Sequence, residues 1–129
     1  LLTAITYIKR LRNPRFIMQT IIEENLSSPF KIDPSNPKVS LDELEIRVLM
    51  QVASKLNLPI NAETLEDYKR QVKMTSNQIH MVLDGTMRDE FKNLLQSIER
   101  ARFSGVKDAE LIQKTEIINQ VATTFLNKL

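Results

Sequence analysis

Apolar residues in this chain recur at every third or fourth position through most of its length, and stretches that alternate at every second position are scarce. That spacing belongs to one face of an α-helix. With only two glycines and five prolines to interrupt it, it predicts an all-α fold: a compact multi-helix array of six to seven helices and no sheet. The clearest run is LDELEIRVLMQVASKLNL, beginning at Leu41. Leu41, Leu44, Val48, Val52 and Leu56 form one stripe, which Ile46, Leu49 and Ala53 widen. A face so broad predicts a central helix rather than a surface one. Ser40 with Glu43 predicts a capping box at its start, and Pro59 its end.

The remaining helices follow from breaks in the same period. Leu1, Ile5, Ile8 and Leu11 share a face over Leu1 to Arg12. Asn13 then precedes Pro14, a pairing suited to a helix start; this second helix is expected to reach Leu26 and bury Ile17, Ile21 and Ile22. Residues 27–40, SSPFKIDPSNPKVS, hold three of the prolines and no helical period, and read as a loop that Phe30 and Ile32 pin to the core. Asn61 or Thr64 is expected to cap a helix carrying Leu65, Tyr68 and Val72. Thr75 or Ser76 would cap a short one carrying Ile79, Val82 and Leu83, stopped by Asp84-Gly85. Thr86 with Asp89 would open a longer helix with the stripe Met87, Phe91, Leu94, Leu95 and Ile98, closed by Ser104-Gly105. Asp108 would cap the last, which buries Leu111, Ile118, Val121, Ala122 and Phe125. The chain thus reads as one domain over 1–129: an N-terminal helix pair (1–26), a Pro-rich loop (27–40) and a helical core (41–129).

Composition removes whole classes of chemistry. There is no cysteine, hence no disulfide, thiolate metal site or cysteine nucleophile, and cysteine usage leaves the compartment open; an intracellular setting, cytoplasmic or nuclear, is the expectation. No run is long and apolar enough for a membrane span, so a soluble chain is expected. A net charge of +2 does not by itself imply nucleic acid. The apolar start precedes Lys9 and Arg10, the reverse of a secretory signal, and Leu1 in place of methionine suggests a piece of a larger protein. His80 is the sole histidine; without Glu-x-x-His or His-x-x-x-His spacing no metal site is expected, and Asp84 is the only nearby carboxylate to orient it. Glu23-Glu24 and Asp89-Glu90 would point about 100° apart on a helix and form no acid–base pair. No Gly-rich loop would cradle a phosphate. Catalytic residues and cofactors are therefore not expected. Lys9, Arg10, Arg12 and Arg15 would contact phosphate or an anionic membrane, or simply solvate a helix end. Asn25-Leu26-Ser27 fits a glycosylation acceptor, a pattern that matters only in a secreted chain.

One stretch carries a more specific pattern. From Thr75 the string T-S-N-Q-I-H-M-V-L-D-G places a small polar residue at Thr75, apolar residues at Ile79 and Val82, and a glycine at Gly85. Upstream, Thr64 stands at a capping position, with Tyr68 and Val72 at core positions. Downstream, Phe91, Leu94, Leu95 and Ile98 supply a packing face. Over Thr64 to Ile98 this resembles the helix-turn-helix of the Cro and phage-repressor class. It departs from that class at three positions: Lys69 stands where a small residue is usual, Lys73 replaces the turn glycine, and Leu65 occupies a commonly polar place. The resemblance implies a recognition helix presenting Ser76, Asn77, His80 and Met81 with Gln78 at its edge. There the amides would pair with adenine and Met81 would meet thymine methyls. Lys69, Arg70, Lys73, Arg88 and Lys92 would hold phosphates.

Two functions are therefore carried forward. The first is a non-enzymatic helical interaction or adaptor domain of a larger protein or assembly, binding a partner polypeptide by a helix face or groove; it should leave an apolar patch around Met50 or Phe30. The alternative is a sequence-specific DNA-binding transcriptional regulator using residues 64–98.

Overall fold

The computed structural model describes the backbone of residues 14–129 and the side chains from Thr20 onward. The helix expected over Leu1 to Arg12, the cations Lys9, Arg10 and Arg12, and the side chains of Arg15 and Ile17 lie outside the described residues. Within them the chain forms six helices and no strand: α1 (Pro14–Ser27), α2 (Pro37–Lys55), α3 (Leu65–Val72), α4 (Ser76–Val82), α5 (Gly85–Arg102) and α6 (Asp108–Lys128). None is long and apolar enough to cross a membrane.

α2 is the axis of the fold. It touches each of the other five helices, most extensively α6, while α5 and α6 pack along each other. Leu41, Leu44, Val48, Leu49, Val52 and Ala53 are all buried, as the breadth of the apolar face predicts; Ile46 and Leu56 are half-buried against the same core. Met50 is fully buried too. It projects about 180° from Leu41, so α2 is covered on opposite sides, and the expected apolar patch at Met50 does not exist. Ile22 buries α1 on this assembly, with Ile21 only half-buried.

Helix starts show where local pattern and structure part. α2 begins at Pro37, three residues before the Ser40 of the expected capping box, and the missing N–H of that proline is no loss in a first turn. Ser40 lies inside the helix, buried, accepting from Asp33 N–H at 2.8 Å and leaning 3.4 Å toward the Asn36 carbonyl. The Asp33 carboxylate meanwhile accepts from Ser35 N–H and hydroxyl at 2.9 and 2.6 Å, forming an Asx turn that delivers the chain to Pro37. Ser35 holds the Asp33 carboxyl below the usual carboxylate range. Phe30 packs on the core as expected, and Arg47 grips the end of α1, donating to the Ser28 carbonyl at 2.6 Å and the Asn25 carbonyl at 3.4 Å. Burial lowers the Arg47 pKa, partly offset by Glu43.

α2 ends at Lys55, before Pro59 is reached. Asn57 takes a left-handed φ of 53°, while Asn57 N–H and Leu58 N–H donate to the carbonyls of Ser54 and Ala53. This is a Schellman closure that uses asparagine in the glycine place. Thr64 caps α3, accepting from Asp67 N–H at 3.1 Å. Asp84, not Thr86, caps α5, accepting from Met87 N–H at 3.0 Å; Gly85 is the first residue of α5 rather than a stop for α4. Gly105 does adopt a left-handed φ of 66° after α5. Lys107 occupies the cap position of α6 without a side-chain bond, and Asp108 is its first residue, where a carboxylate complements the helix dipole.

The α6 stripe is Leu111, Thr115, Ile118, Ala122 and Phe125. Thr115 enters it by donating its hydroxyl to the Leu111 carbonyl at 2.7 Å. Val121, expected in the core, is 52% exposed. It lies roughly 80–90° around the helix from the centre of that stripe.

Candidate interaction surface

α4 has two turns, and its packing side is set by Ile79, buried completely, with Thr75 and Leu83 on either flank. The Thr75 hydroxyl donates to the Val72 carbonyl at 2.7 Å and so holds the α3–α4 turn instead of capping α4. No side chain from Ser76 caps it either. Val82, expected in the core, is 55% exposed: it sits about 60° off Ile79, on the flank away from Ser76 and His80, which face the cleft with α2 and α5.

Opposite that side, α4 is unusually apolar for a solvent face. Met81 is 82% exposed, and Met74, in the preceding turn, is 73% exposed. Asn77 and Gln78 are exposed among them. α6 shows a second exposed apolar pair, Ile117 and Val121. It borders a cleft with α5 floored by Leu94 and Phe125, whose end is closed by the 2.9 Å Lys128–Glu90 ion pair.

Between α2, α4 and α5 runs a cleft of about 370 Å³. Ser76, His80, Lys73 and Lys92 line it over an apolar floor that includes Leu49 and Leu95, with Glu45 and Glu99 also on its wall. His80, which the resemblance would present to a groove, is half-buried, its ring tilted against Phe91 at 5.2 Å. Phe91 in turn stacks on Phe125 at 5.9 Å. No hydrogen bond joins His80 to Asp84, whose carboxylate is committed to the α5 cap. Both glutamates of the wall are held by Arg102: Nη2 to Glu45 and Nη1 to Glu99, each at 2.7 Å, with Asp42 at 3.0 Å. Burial works against the Arg102 charge, but Glu45 and then Asp42 outweigh it and raise its pKa.

The ten residues expected to meet nucleic acid are therefore distributed. Lys73, Ser76, His80 and Lys92 come together on one cleft. Asn77, Gln78 and Met81 face solvent beside it. Arg88 is exposed and donates to the Leu83 carbonyl at 3.0 Å, at the α4–α5 junction. Arg70 pairs with Asp67 on the surface of α3 at 3.7 Å. Lys69 turns away, lining a separate cleft with Glu24 and Glu43 on the α1–α2 side. α3 packs chiefly on α2 and α1, and α4 on α2 and α5, rather than on each other. The turn between them needs no glycine, since Lys73 is right-handed at φ −61°. Among the described residues no group of three or more His, Asp or Glu side chains is placed to hold a metal. The exposure of Met74, Met81 and Val82 was not legible in the sequence, where Val82 has core spacing and the methionines carry no sign of direction.

No protein-family model, no curated protein and no solved structure matches the chain.

Proposed function

We propose that this chain is a non-enzymatic interaction module that binds a partner polypeptide through the outer face of α4 and the turn before it. The observation that carries the reading is the exposure of Met74, Met81 and Val82 within nine residues of one another, 73, 82 and 55% respectively. Unbranched, polarizable methionines adapt to an apolar partner at little cost in specificity of shape. A short helix with one packed side offers the other for recognition.

The test is a selection of random helix-forming peptides, about sixteen residues long, displayed against the whole chain. Binders whose affinity falls at least about tenfold on the double change Met74→Ser, Met81→Ser support the surface. Absence of binders, or binders indifferent to both changes, overturns it.

A second reading, sequence-specific DNA binding by α4, draws on the exposure of Asn77 and Gln78 beside Lys73 and Arg88. The division of the cations between two clefts and the separate packing of α3 and α4 weigh for the polypeptide. Fluorescence anisotropy with mixed duplex DNA at two salt concentrations decides. Tight binding that weakens steeply with salt and is lost on Asn77→Ala favours DNA; no binding at low salt removes it.

A further inference from the structure

We infer that the groove between α2, α6 and the segment after α1 binds an unbranched aliphatic chain ending in a carboxylate. The head group lies on Lys55 and the tail runs toward Phe30. This site is separate from the α4 surface and does not rest on it.

The groove measures about 510 Å³, within the roughly 300–1,000 Å³ usual for small-molecule sites. Leu44, Val48 and Ala122 are buried core residues at its floor, with Phe30 and Leu126 half-buried beside them. The packing of α2 on α6 fixes these side chains, so the apolar floor exists before anything binds.

On α2 the lining runs from Leu44 to Lys55, a length of about 16 Å at the helical rise. The volume spread over that length leaves a cross-section of about 30 Å². A helix, with a cross-section of roughly 80–110 Å², would rest on the rim. A single carbon chain fits inside, and about twelve carbons joined by ~1.5 Å bonds span the length.

The charges give the groove a direction. Arg47 and Lys55 are the charged residues of its lining, and no carboxylate is among them. Arg47 directs its guanidinium to the Asn25 and Ser28 carbonyls at the end of α1, and Glu43 adds its field from outside the groove. Phe30 follows two residues after that Ser28 carbonyl and closes this end. At the other end Lys55 is exposed and donates to the Leu126 carbonyl at 2.7 Å. Among the described residues it makes no ion pair. The last turn of α6 offers it only about half a negative charge, so a net positive charge remains, with N–H donors to spare. One ammonium matches a monoanion such as a carboxylate better than the nearly double charge of a phosphate. The floor from Leu126 to Phe30 selects the apolar tail.

The test titrates the whole chain with dodecanoate below its micelle-forming concentration, read by calorimetry and by amide chemical shifts. Binding is expected to shift Gln51, Lys55, Ala122 and Thr123, and to be at least about threefold tighter than that of decanoate. Dodecyltrimethylammonium, with the same tail and a cationic head, should bind at least about tenfold more weakly. Lys55→Glu should weaken dodecanoate at least about fivefold, and Thr123→Trp, which fills the groove from its α6 wall, should abolish binding. Both positions are exposed, and unchanged helical circular dichroism verifies each variant's fold. Absence of binding, equal binding of the two head groups, or binding indifferent to both variants overturns the inference. Peptides selected on the whole chain that are lost on Thr123→Trp, but not on Met74→Ser, Met81→Ser, would give the groove to a polypeptide and overturn it too.

Discussion

Arg102, in the last turn of α5, donates from Nη2 to Glu45 of α2 at 2.7 Å, and the same guanidinium holds Asp42 and Glu99. One side chain thereby locks the end of α5 to the first half of α2 and holds the two carboxylates that line the cleft beside α4. Its side chain is 25% exposed and that of Glu45 20%, so the pair is screened less than a surface bridge.

Arg102→Ala is expected to destabilise the fold by ~2 kcal/mol, much of it from leaving Glu45 without its partner. That corresponds to a fall in Tm of roughly 6–10 °C for a domain of this size. The double change Arg102→Met, Glu45→Gln should recover part of the loss, since it removes both charges together. Thermal unfolding of the two variants measures this.

Phe91 and Val82 have opposite environments despite similar sequence spacing. Phe91 is fully buried and stacks on Phe125 at 5.9 Å. Phe91→Ala should cost ~3–5 kcal/mol, and Val82→Ser should stay within about 0.5 kcal/mol of the parent. Urea unfolding compares them, and a large loss at Val82 would contradict the placement of α4.

The two glycines should respond in opposite directions to alanine. Gly85 is helical, without a left-handed φ, and a Cβ there meets nothing within 4 Å. Gly85→Ala should therefore stabilise by up to ~0.5–1 kcal/mol, mainly by restricting the unfolded chain. Gly105 has a φ of 66°, so Gly105→Ala should destabilise by ~1 kcal/mol. Paired denaturation curves give both signs.

Asp33 gives the acid dependence. Its folded-state pKa lies below the ordinary value of 3.8, chiefly through the Ser35 hydroxyl and then the Ser35 N–H. A depressed carboxylate pKa contributes stability that is present above the unfolded value and lost as pH falls through the folded one. The stability difference between the parent and Asp33→Asn should be constant from neutral pH down to about 5 and shrink below about 4. A difference that instead grows toward acid would reverse the assigned shift.

The sequence by itself determined the class of fold and most of the core. Apolar residues at three- and four-residue spacing must share a helical face, and that face must leave water; hence Leu41 to Ala53, Phe91 to Ile98 and Leu111 to Phe125 could be read directly. Gly105 could be read for the same kind of local reason, because a left-handed residue after a helix favours glycine. What only the tertiary structure decided is how far around each helix its neighbours reach. Val82 and Val121 have apolar chemistry and near-core spacing but stand at the edge of the packed stripe and stay more than half exposed, whereas Met50 is sealed because α2 is covered on opposite sides. Helix starts at Pro37 and Gly85 depended on which of several competing polar residues found a bond. The candidate surface belongs to this second kind: Met74 and Met81 are exposed, and Lys73, His80 and Lys92, on three different segments, meet at one cleft through packing geometry that local spacing does not encode.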